Sequence, residues 1–246
     1  MITLHLIGIG TGNPDHVTME ARHAIAGADL VLVPEKGDGK SDLADLRRQI
    51  VAQVCDAPPV IEGFGMPVRD PALPYLERVE RWHDAIAARW SEAIARHPQA
   101  RDVALLVWGD PSLYDSTLRI AARLDPQPRL RVVAGITSLQ ALTAAHAIPL
   151  NTVNGPVVIT TGRQLRDHGW PEGAETVAVM LDGACSFDVL EPDGIAIWWG
   201  AFLGMENQIL EAGPLAEAGP RIVAARARAR EAHGWIMDIY LLRRSG

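Results

Sequence analysis

The sequence has little cysteine and no long hydrophobic run. Its two cysteines, Cys55 and Cys185, are too few and too far apart to form a thiolate metal site or a disulfide framework. Buried free thiols in a reducing compartment are therefore expected. No apolar run approaches the roughly 20 residues of a membrane span, and the N-terminus is a strand with no targeting signal. These absences predict a cytoplasmic protein that does not bind a membrane.

Basic residues do not predominate, and no metal-binding pattern is present. The sequence has 23 Lys and Arg against 30 Asp and Glu, a net charge of -7, which argues against a broad nucleic-acid interface. The eight histidines form neither an H-E-x-x-H motif nor any pair four residues apart. We therefore expect neither a nucleic-acid partner nor a protein-bound metal.

Strand-like and helix-like segments alternate along the chain. The 246 residues, 48% of them hydrophobic, suffice for one large or two ordinary domains with a core. The predicted strands are Ile2–Gly8, Leu30–Val33, Val60–Ile61, Val103–Trp108, Leu130–Val133, Val157–Thr160, Val177–Met180 and Ile195–Trp199. Helices are predicted at Met19–Gly27, at Asp42–Val54, at Pro74–His97, where Trp82 and Trp90 should join the core, and before His146.

This alternation predicts an α/β fold of two domains, residues 1–149 and 150–246, with a linker at Pro149–Pro156. Pro34–Lys40 is predicted to be an exposed loop. The segments Arg221–Arg228 and Trp235–Leu242 are predicted to form an antiparallel hairpin.

The first strand runs into a glycine-rich loop, Gly8-Ile9-Gly10-Thr11-Gly12-Asn13-Pro14, and then into a helix. Glycine lets the backbone approach a ligand closely, and the helix N-terminus supplies unpaired N–H groups. A dinucleotide fingerprint would need glycine at position 13, so NAD and FAD are discounted. A tight turn without any ligand remains an alternative for this loop alone.

Three loops follow directly after strands of the first domain: Gly10–Pro14, Gly109–Tyr114 and Gly135–Ser138. The carboxyl ends of parallel strands meet at one edge of a sheet, and ligands bind at that edge in open α/β folds. We therefore expect a ligand site formed by these loops.

These loops resemble those of the tetrapyrrole methylases, S-adenosylmethionine-dependent enzymes of cobalamin and sirohaem synthesis that include diphthine synthase as a relative. The family's G-x-G-x-G-x-P start is similar to Gly8–Pro14, its G-D-P loop to Gly109–Pro111, and its P-G-I-T-S segment to Gly135–Ser138 with Ala134 in place of proline. Val177–Met180 resembles a family strand that ends in methionine, and Glu206–Leu210 resembles a helix start.

The resemblance implies a fold of the tetrapyrrole methylase type with the active site in the cleft between two domains, S-adenosylmethionine as methyl donor and a homodimer. Val107–Thr117 and Gly234–Arg244 are similar to segments of family members that methylate C-1 of precorrin-5 and release acetate. The alternatives are another corrin C-methyltransferase, a diphthine synthase, or a non-catalytic module that binds S-adenosylmethionine or a tetrapyrrole.

The resemblance also implies a set of residues that contact the methyl donor. These are Pro14, Gly109, Asp110, Pro111, Thr137, Ser138 and Met180, together with Gly200 and Ala201. Structural explanations exist for individual members: Thr137 and Ser138 could cap their helix, Met180 could fill the core, and Pro111 could set a turn.

Release of acetate requires water to attack a carbonyl with help from an acid or base. Tyr114 and Asp15 are the candidate catalytic residues, and His16 and Asp115 are further candidates in the same loops. Each could instead be a capping or surface residue. Because the macrocycle carries carboxylates, arginines should bind it, and Arg69, Arg119 and Arg163 are candidates.

Overall fold

The computed structural model describes residues 1–35 and 42–244. In this part of the chain there are ten strands and seven α-helices. The chain divides into two compact units, Met1–Ile136 and Thr137–Gly246. The division does not fall at residues 149 and 150, because the helix Ser138–Ala145 packs against strands of the second sheet. Most of the loop predicted at Pro34–Lys40 lies outside the described residues.

The first unit has a parallel sheet with the strand order β3-β2-β4-β1-β5. Its strands are β1 (Thr3–Gly8), β2 (Leu30–Glu35), β3 (Val60–Gly65), β4 (Asp102–Val107) and β5 (Arg129–Val133). Its helices are α1 (Met19–Ala26), α2 (Asp42–Val54), α3 (Tyr75–Ala95) and α4 (Thr117–Ala121). The chain leaves β1 toward β2 and leaves β4 toward β5, so the strand order reverses between β1 and β4. Ligands bind at such a reversal in open α/β sheets.

Both faces of this sheet are buried, as expected for parallel strands covered by helices. On one face, Leu4 and Leu6 of β1 share a core with Trp90 of α3, which is 2% exposed. On the other face, Ile7 shares a second core with Ile25 of α1. The prediction that Trp90 belongs to the core is confirmed, and burial of each such side chain stabilises the fold by roughly 1.5–3 kcal/mol.

The pairing between β2 and β4 is short. Only Leu30–Leu32 pair with Val103–Leu105, although β2 continues to Glu35 and β4 to Val107. Beyond Leu32, β2 stays paired with β3 through the end of both strands. The sheet is therefore open between β2 and β4 at its carboxyl edge.

The second unit has a mixed sheet with the strand order β6-β7-β10-β8-β9. Its strands are β6 (Val157–Thr161), β7 (Thr176–Met180), β8 (Ile195–Ala201), β9 (Ile209–Pro214) and β10 (Asp238–Arg244). Its helices are α5 (Ser138–Ala145), α6 (Gly162–His168) and α7 (Leu215–His233). Strands β6 and β7 are parallel, while β10 is antiparallel to both β7 and β8.

The predicted hairpin of Arg221–Arg228 and Trp235–Leu242 is wrong in its first half. Residues 221–228 belong to α7, whose buried residues Ala218, Ile222, Ala225 and Ala229 recur at helical spacing. The helix ends at Gly234, whose φ of 70° and hydrogen bond to Arg230 O form a left-handed cap. The second half is a strand as predicted, but β10 lies between β7 and β8 and does not form a hairpin.

The helix start expected at Glu206–Leu210 is also absent from the described structure. Ile209–Pro214 form β9, which pairs with β8. The Gln208 side chain instead accepts a hydrogen bond of 2.8 Å from Gly204 N and closes the turn before the strand. The resemblance of these residues to a helix start was therefore misleading.

A buried aspartate anchors the loop that follows β7. The Asp182 carboxylate accepts hydrogen bonds from Tyr240 Oη at 2.7 Å, from Ser186 N at 2.6 Å, from Ser186 Oγ at 2.9 Å and from Ala184 N at 3.0 Å. Burial alone would raise the pKa of Asp182, but these hydrogen bonds together outweigh burial and lower it below its ordinary value. The carboxylate therefore joins the loop after β7 to the central strand β10.

Replacement of Asp182 tests this link. Asp182→Asn should destabilise the protein by about 2 kcal/mol at neutral pH, because an amide group would place donors against the donors that now surround the carboxylate. The native pKa is depressed, so the carboxylate contributes stability above the unfolded pKa of about 4 and loses it as the pH falls through the native pKa. The difference from wild type in urea unfolding should therefore shrink in acid. Asn in place of the exposed Asp193 is the control and should change stability by less than about 0.5 kcal/mol. A difference for Asp182→Asn that does not vary with pH would contradict this account.

Candidate functional site

Three glycines pack against one another at the carboxyl ends of β1, β4 and β5. A Cβ atom on Gly8 would lie 2.6 Å from Gly135 N and 2.8 Å from Gly109 O. A Cβ atom on Gly135 would lie 2.1 Å from Gly109 O. Backbone atoms cannot yield at such distances, so the three loops can meet only if Gly8 and Gly135 have no side chains.

Two of the loops are also joined by backbone hydrogen bonds. Gly109 N donates to Gly10 O at 2.8 Å, and Gly10 N donates to Gly109 O at 3.3 Å. Gly10 and Gly109 have φ values of 76° and 66°, a region that favours glycine. The glycine-rich loops predicted from sequence therefore lie side by side at the point where the strand order reverses.

The Asp110 side chain connects the second loop to the third. Its Oδ2 accepts a 2.8 Å hydrogen bond from Gly135 N, and its Oδ1 accepts from Ser112 N at 2.8 Å and from the Ser112 hydroxyl. Burial alone would raise the pKa of Asp110, but the hydrogen bonds from Ser112 and Gly135 outweigh it and lower the pKa. The carboxylate is thus ionised, and both of its oxygens accept hydrogen bonds within the protein. We therefore expect any ligand contact of Asp110 to come from its backbone. Pro111 beside it is buried, and Ala134 is exposed.

The first loop ends in a 3-10 turn, Pro14–His16. Asn13 Oδ1 accepts a 2.9 Å hydrogen bond from Asp15 N and so fixes the start of the turn. Asp15 itself is exposed, and His16 Nδ1 lies 3.4 Å from Thr11 Oγ1. Asp15 is therefore accessible to solvent or substrate.

Tyr114 and Asp115 follow the second loop and differ in their surroundings. Tyr114 has a φ of 50° and is 42% exposed. Burial raises the pKa of Tyr114, so its phenol stays protonated at neutral pH and can donate a hydrogen bond. Asp115 accepts hydrogen bonds from Thr117 N at 2.6 Å and from the Thr117 hydroxyl, so it caps the start of α4.

The second unit carries the other predicted donor contacts. Tyr240 pairs with Val179 on one side and with Trp199 on the other, so Met180 and Gly200 follow at the same edge of the sheet. Met180 is half-buried, and a Cβ atom on Gly200 would lie 2.6 Å from Leu203 Cδ2. A side chain at Gly200 would therefore displace the end of the Leu203 side chain.

The remaining predicted contacts of this unit are Ala201, Thr137 and Ser138. Ala201 is fully buried in the core. Thr137 caps α5 by accepting a 3.2 Å hydrogen bond from Leu139 N, and Ser138 is the first residue of that helix. The structural explanation offered for Thr137 therefore applies, and it does not exclude a ligand contact.

The predicted arginines are all exposed. Arg69 lies over the Trp82 ring at 3.9 Å from its centroid, and Arg119 donates to Asp115 O at 3.0 Å. Arg163 lies at the start of α6. The sequence analysis did not identify Arg47 of α2, whose side chain reaches the carboxyl end of β4. An arginine in an amphipathic helix gives no local signal of such a position.

The described residues contain neither a metal cluster nor a membrane-spanning helix. Residues 1–35 and 42–244 hold no group of three or more His, Cys, Asp or Glu side chains that could bind a metal ion. Within the same residues, no helix is both long and apolar enough to span a bilayer.

The match to a family model covers most of the chain. Residues 3–219 match the model of the tetrapyrrole (corrin/porphyrin) methylases. The chain therefore belongs to the tetrapyrrole methylase family, as its glycine loops suggested.

Three individual relatives are similar to this chain over nearly its whole length. A precorrin-6A synthase (deacetylating) from Sinorhizobium sp. is 44% identical over 97% of this chain and 94% of its own length. The crystal structure of a cobalamin synthesis related protein (CobF) from Corynebacterium diphtheriae has a TM-score of 0.85 and 38% identity, over 99% of each chain. A uroporphyrin-III C-methyl transferase from Thermus thermophilus, complexed with S-adenyl homocysteine, has a TM-score of 0.59 and 16% identity, over 98% of this chain and 97% of its own. The last of these shows the fold alone.

Proposed function

We propose that this protein is an S-adenosylmethionine-dependent C-methyltransferase of cobalamin biosynthesis that methylates C-1 of precorrin-5 and releases acetate to give precorrin-6A. The observation that carries this proposal is the 44% identity with a precorrin-6A synthase (deacetylating) over 97% of the chain. The match covers 97% of the chain and therefore extends through both units. No resident cofactor or metal is proposed.

The glycine loops provide what a methyl donor needs. Transfer of a methyl group from a sulfonium to an electron-rich ring carbon is an in-line displacement, so the protein mainly has to orient the two reactants. We assign donor contacts in the first unit to Pro14, Gly109, Asp110 and Pro111, with Asp110 acting through its backbone. In the second unit we assign them to Thr137, Ser138, Met180, Gly200 and Ala201.

Release of acetate needs a separate set of groups. Water attacks the acetyl carbonyl, and the bond from that carbon to the macrocycle breaks. The electron pair of the bond passes to the macrocycle, where it replaces the pair that now binds the methyl group, while the acetyl group leaves as acetate and the two protons of the water are released. The protonated Tyr114 phenol can donate a hydrogen bond to the carbonyl oxygen as negative charge develops there. The exposed Asp15 can accept the proton of the attacking water.

Two measurements test the proposed function. S-adenosylhomocysteine should bind the protein in a calorimetric titration, and incubation with S-adenosylmethionine and precorrin-5 should give a product that has gained one methyl group and lost acetate by mass spectrometry. Methyl gain without acetate loss would indicate a different corrin C-methyltransferase. Donor binding without any product would indicate a binding module, and no donor binding would reject the assignment.

The second loop should be required for donor binding. Gly109→Val places a β-branched residue at a φ of 66°, where the ligand backbone contact is expected, and should abolish binding of S-adenosylhomocysteine. The backbone strain of about 1–2 kcal/mol is small enough for the protein to stay folded, which circular dichroism would verify. Gly169→Val is the matched control, because Gly169 has a φ of 71° at the end of α6, away from the predicted contacts. Unchanged affinity of Gly109→Val would show that the loop is only a turn.

Tyr114 should act on acetate release more than on methyl transfer. Tyr114→Phe keeps the ring and removes the hydroxyl, so single-turnover acetate formation should slow by roughly 10-fold or more if the hydrogen bond forms mainly in the transition state. Methyl transfer, followed by mass spectrometry in the same samples, should change less. Near-native rates of both products would reject Tyr114 and make Asp15 the next residue to replace.

A homodimer and a cytoplasmic location complete the proposal. Both follow from the family resemblance and from the sequence composition. Analytical ultracentrifugation of the purified protein and fractionation of the source cells would test them.

A further inference from the structure

An arginine occupies the opening between β2 and β4. Beyond Leu32 the two strands no longer pair, so the carbonyl of Leu106 has no partner on β2. Arg47 of α2 takes that place: its Nε donates to Leu106 O at 2.9 Å, and its Nη1 donates to Leu43 O at 3.0 Å. The guanidinium is therefore fixed at the carboxyl edge of the sheet, one residue before the end of β4.

The guanidinium is charged but poorly hydrated. Burial lowers the pKa of Arg47 to about 10, while the charge of Asp115 works in the opposite direction. Arg47 thus stays protonated at neutral pH. In the described part of the chain no carboxylate lies within ion-pairing distance of it, and Asp115 acts from farther away while its Oδ1 caps α4. The Arg47 side chain is half-buried. A charge withdrawn from water is costly unless it is paired, so a cation in this position favours an anionic ligand.

Two other arginines of this region, Arg48 and Arg119, have different hydrogen-bond and ion-pair partners from Arg47. Arg48, the next residue of α2, forms ion pairs with Glu35 and, at 3.2 Å, with Asp45. Arg119 is exposed and bonded to Asp115 O. Among these three, only Arg47 donates to two backbone carbonyls, and it keeps planar N–H groups that can form a fork for a carboxylate.

We propose that Arg47 binds a carboxylate of the tetrapyrrole substrate and helps to determine which macrocycle the enzyme accepts. This inference rests on the proposed function and adds a substrate-recognition residue to it. Arg47 lies beside the segment that contains Tyr114 and Asp115, because Asp115 is close enough to act on its charge. A carboxylate held here would place the macrocycle next to the candidate catalytic tyrosine.

The position of Arg47 favours the substrate over the methyl donor as the source of this carboxylate. The glycines assigned to the donor loops, Gly8, Gly10, Gly109 and Gly135, meet on the side of β4 that faces β1 and β5. Arg47 lies on the opposite side of β4, where β2 diverges. Replacement of Arg47 should therefore affect the substrate and spare the donor.

The test compares Arg47→Gln and Arg47→Lys with wild type and with Arg48→Gln as the matched control. KM and kcat for precorrin-5 are measured by mass spectrometry, and the Kd for S-adenosylhomocysteine by calorimetry. Arg47→Gln should raise the KM for precorrin-5 by roughly 10-fold or more, since it removes a half-buried charge that pairs with the substrate. Arg47→Lys keeps the charge but not the planar fork, so its KM should lie between those of Gln and wild type. The Kd for the donor product should stay within about 2-fold in all variants.

Each result of these KM and Kd measurements either supports the proposal or overturns it. A KM that changes as described, with an unchanged donor Kd and an unaffected Arg48→Gln, supports it. An unchanged KM in both Arg47 variants, or an equal loss of donor affinity, overturns it, the latter by showing a structural role or a donor contact. If Arg47→Gln does not fold, the Arg47→Lys measurement decides, because that variant retains a cationic donor to Leu106 O. A wild-type protein that produces no methylated product rejects the proposed function itself, which separates the two failures.

Discussion

The close approach of Gly8, Gly109 and Gly135 is the constraint on which the first unit depends. Side chains at Gly8 and Gly135 would meet backbone atoms at 2.1–2.8 Å, so the carboxyl ends of β1, β4 and β5 could not come together. The Asp110 carboxylate then secures the arrangement through its hydrogen bond to Gly135 N. These glycines thus fix the fold at this edge of the sheet. They also form the loops in which we propose that the methyl donor binds.

The second unit depends on a polar interior instead. Asp182 receives hydrogen bonds from the loop after β7 and from Tyr240 of β10, and Arg226 pairs with Asp238 at 2.9 Å. Trp199 Nε1 donates to the same Asp238 oxygen. Burying such groups is favourable only when all of them are satisfied together, so the unit gains a single well-defined arrangement of its strand ends. Met180 and Gly200 lie at those ends.

The sequence predicted the first unit well, because β2 and β4 contain unbroken apolar runs and the loops carry glycine at each point of close approach. It predicted the second unit less well. Residues 225–230 alternate alanine and arginine, which resembles a strand, and only the spacing of Ala218, Ile222, Ala225 and Ala229 shows the helix. The role of Asp182 depends on Tyr240, 58 residues away, and no local pattern reveals such a pair. Arg47 could not be identified either, because its position depends on where β2 and β4 separate.

The central place of β10 has a consequence for synthesis of the chain on the ribosome. Residues 238–244 fill the middle of the second sheet, between strands that end at residues 180 and 201. Until they emerge, β7 and β8 expose unpaired edges, and β6 with β7 on one side cannot join β8 with β9 on the other. The first unit has its whole sheet once Val133 is available and can fold during translation. The second must wait for its last strand, so it is the part of the nascent protein most exposed to misassembly and to chaperone binding.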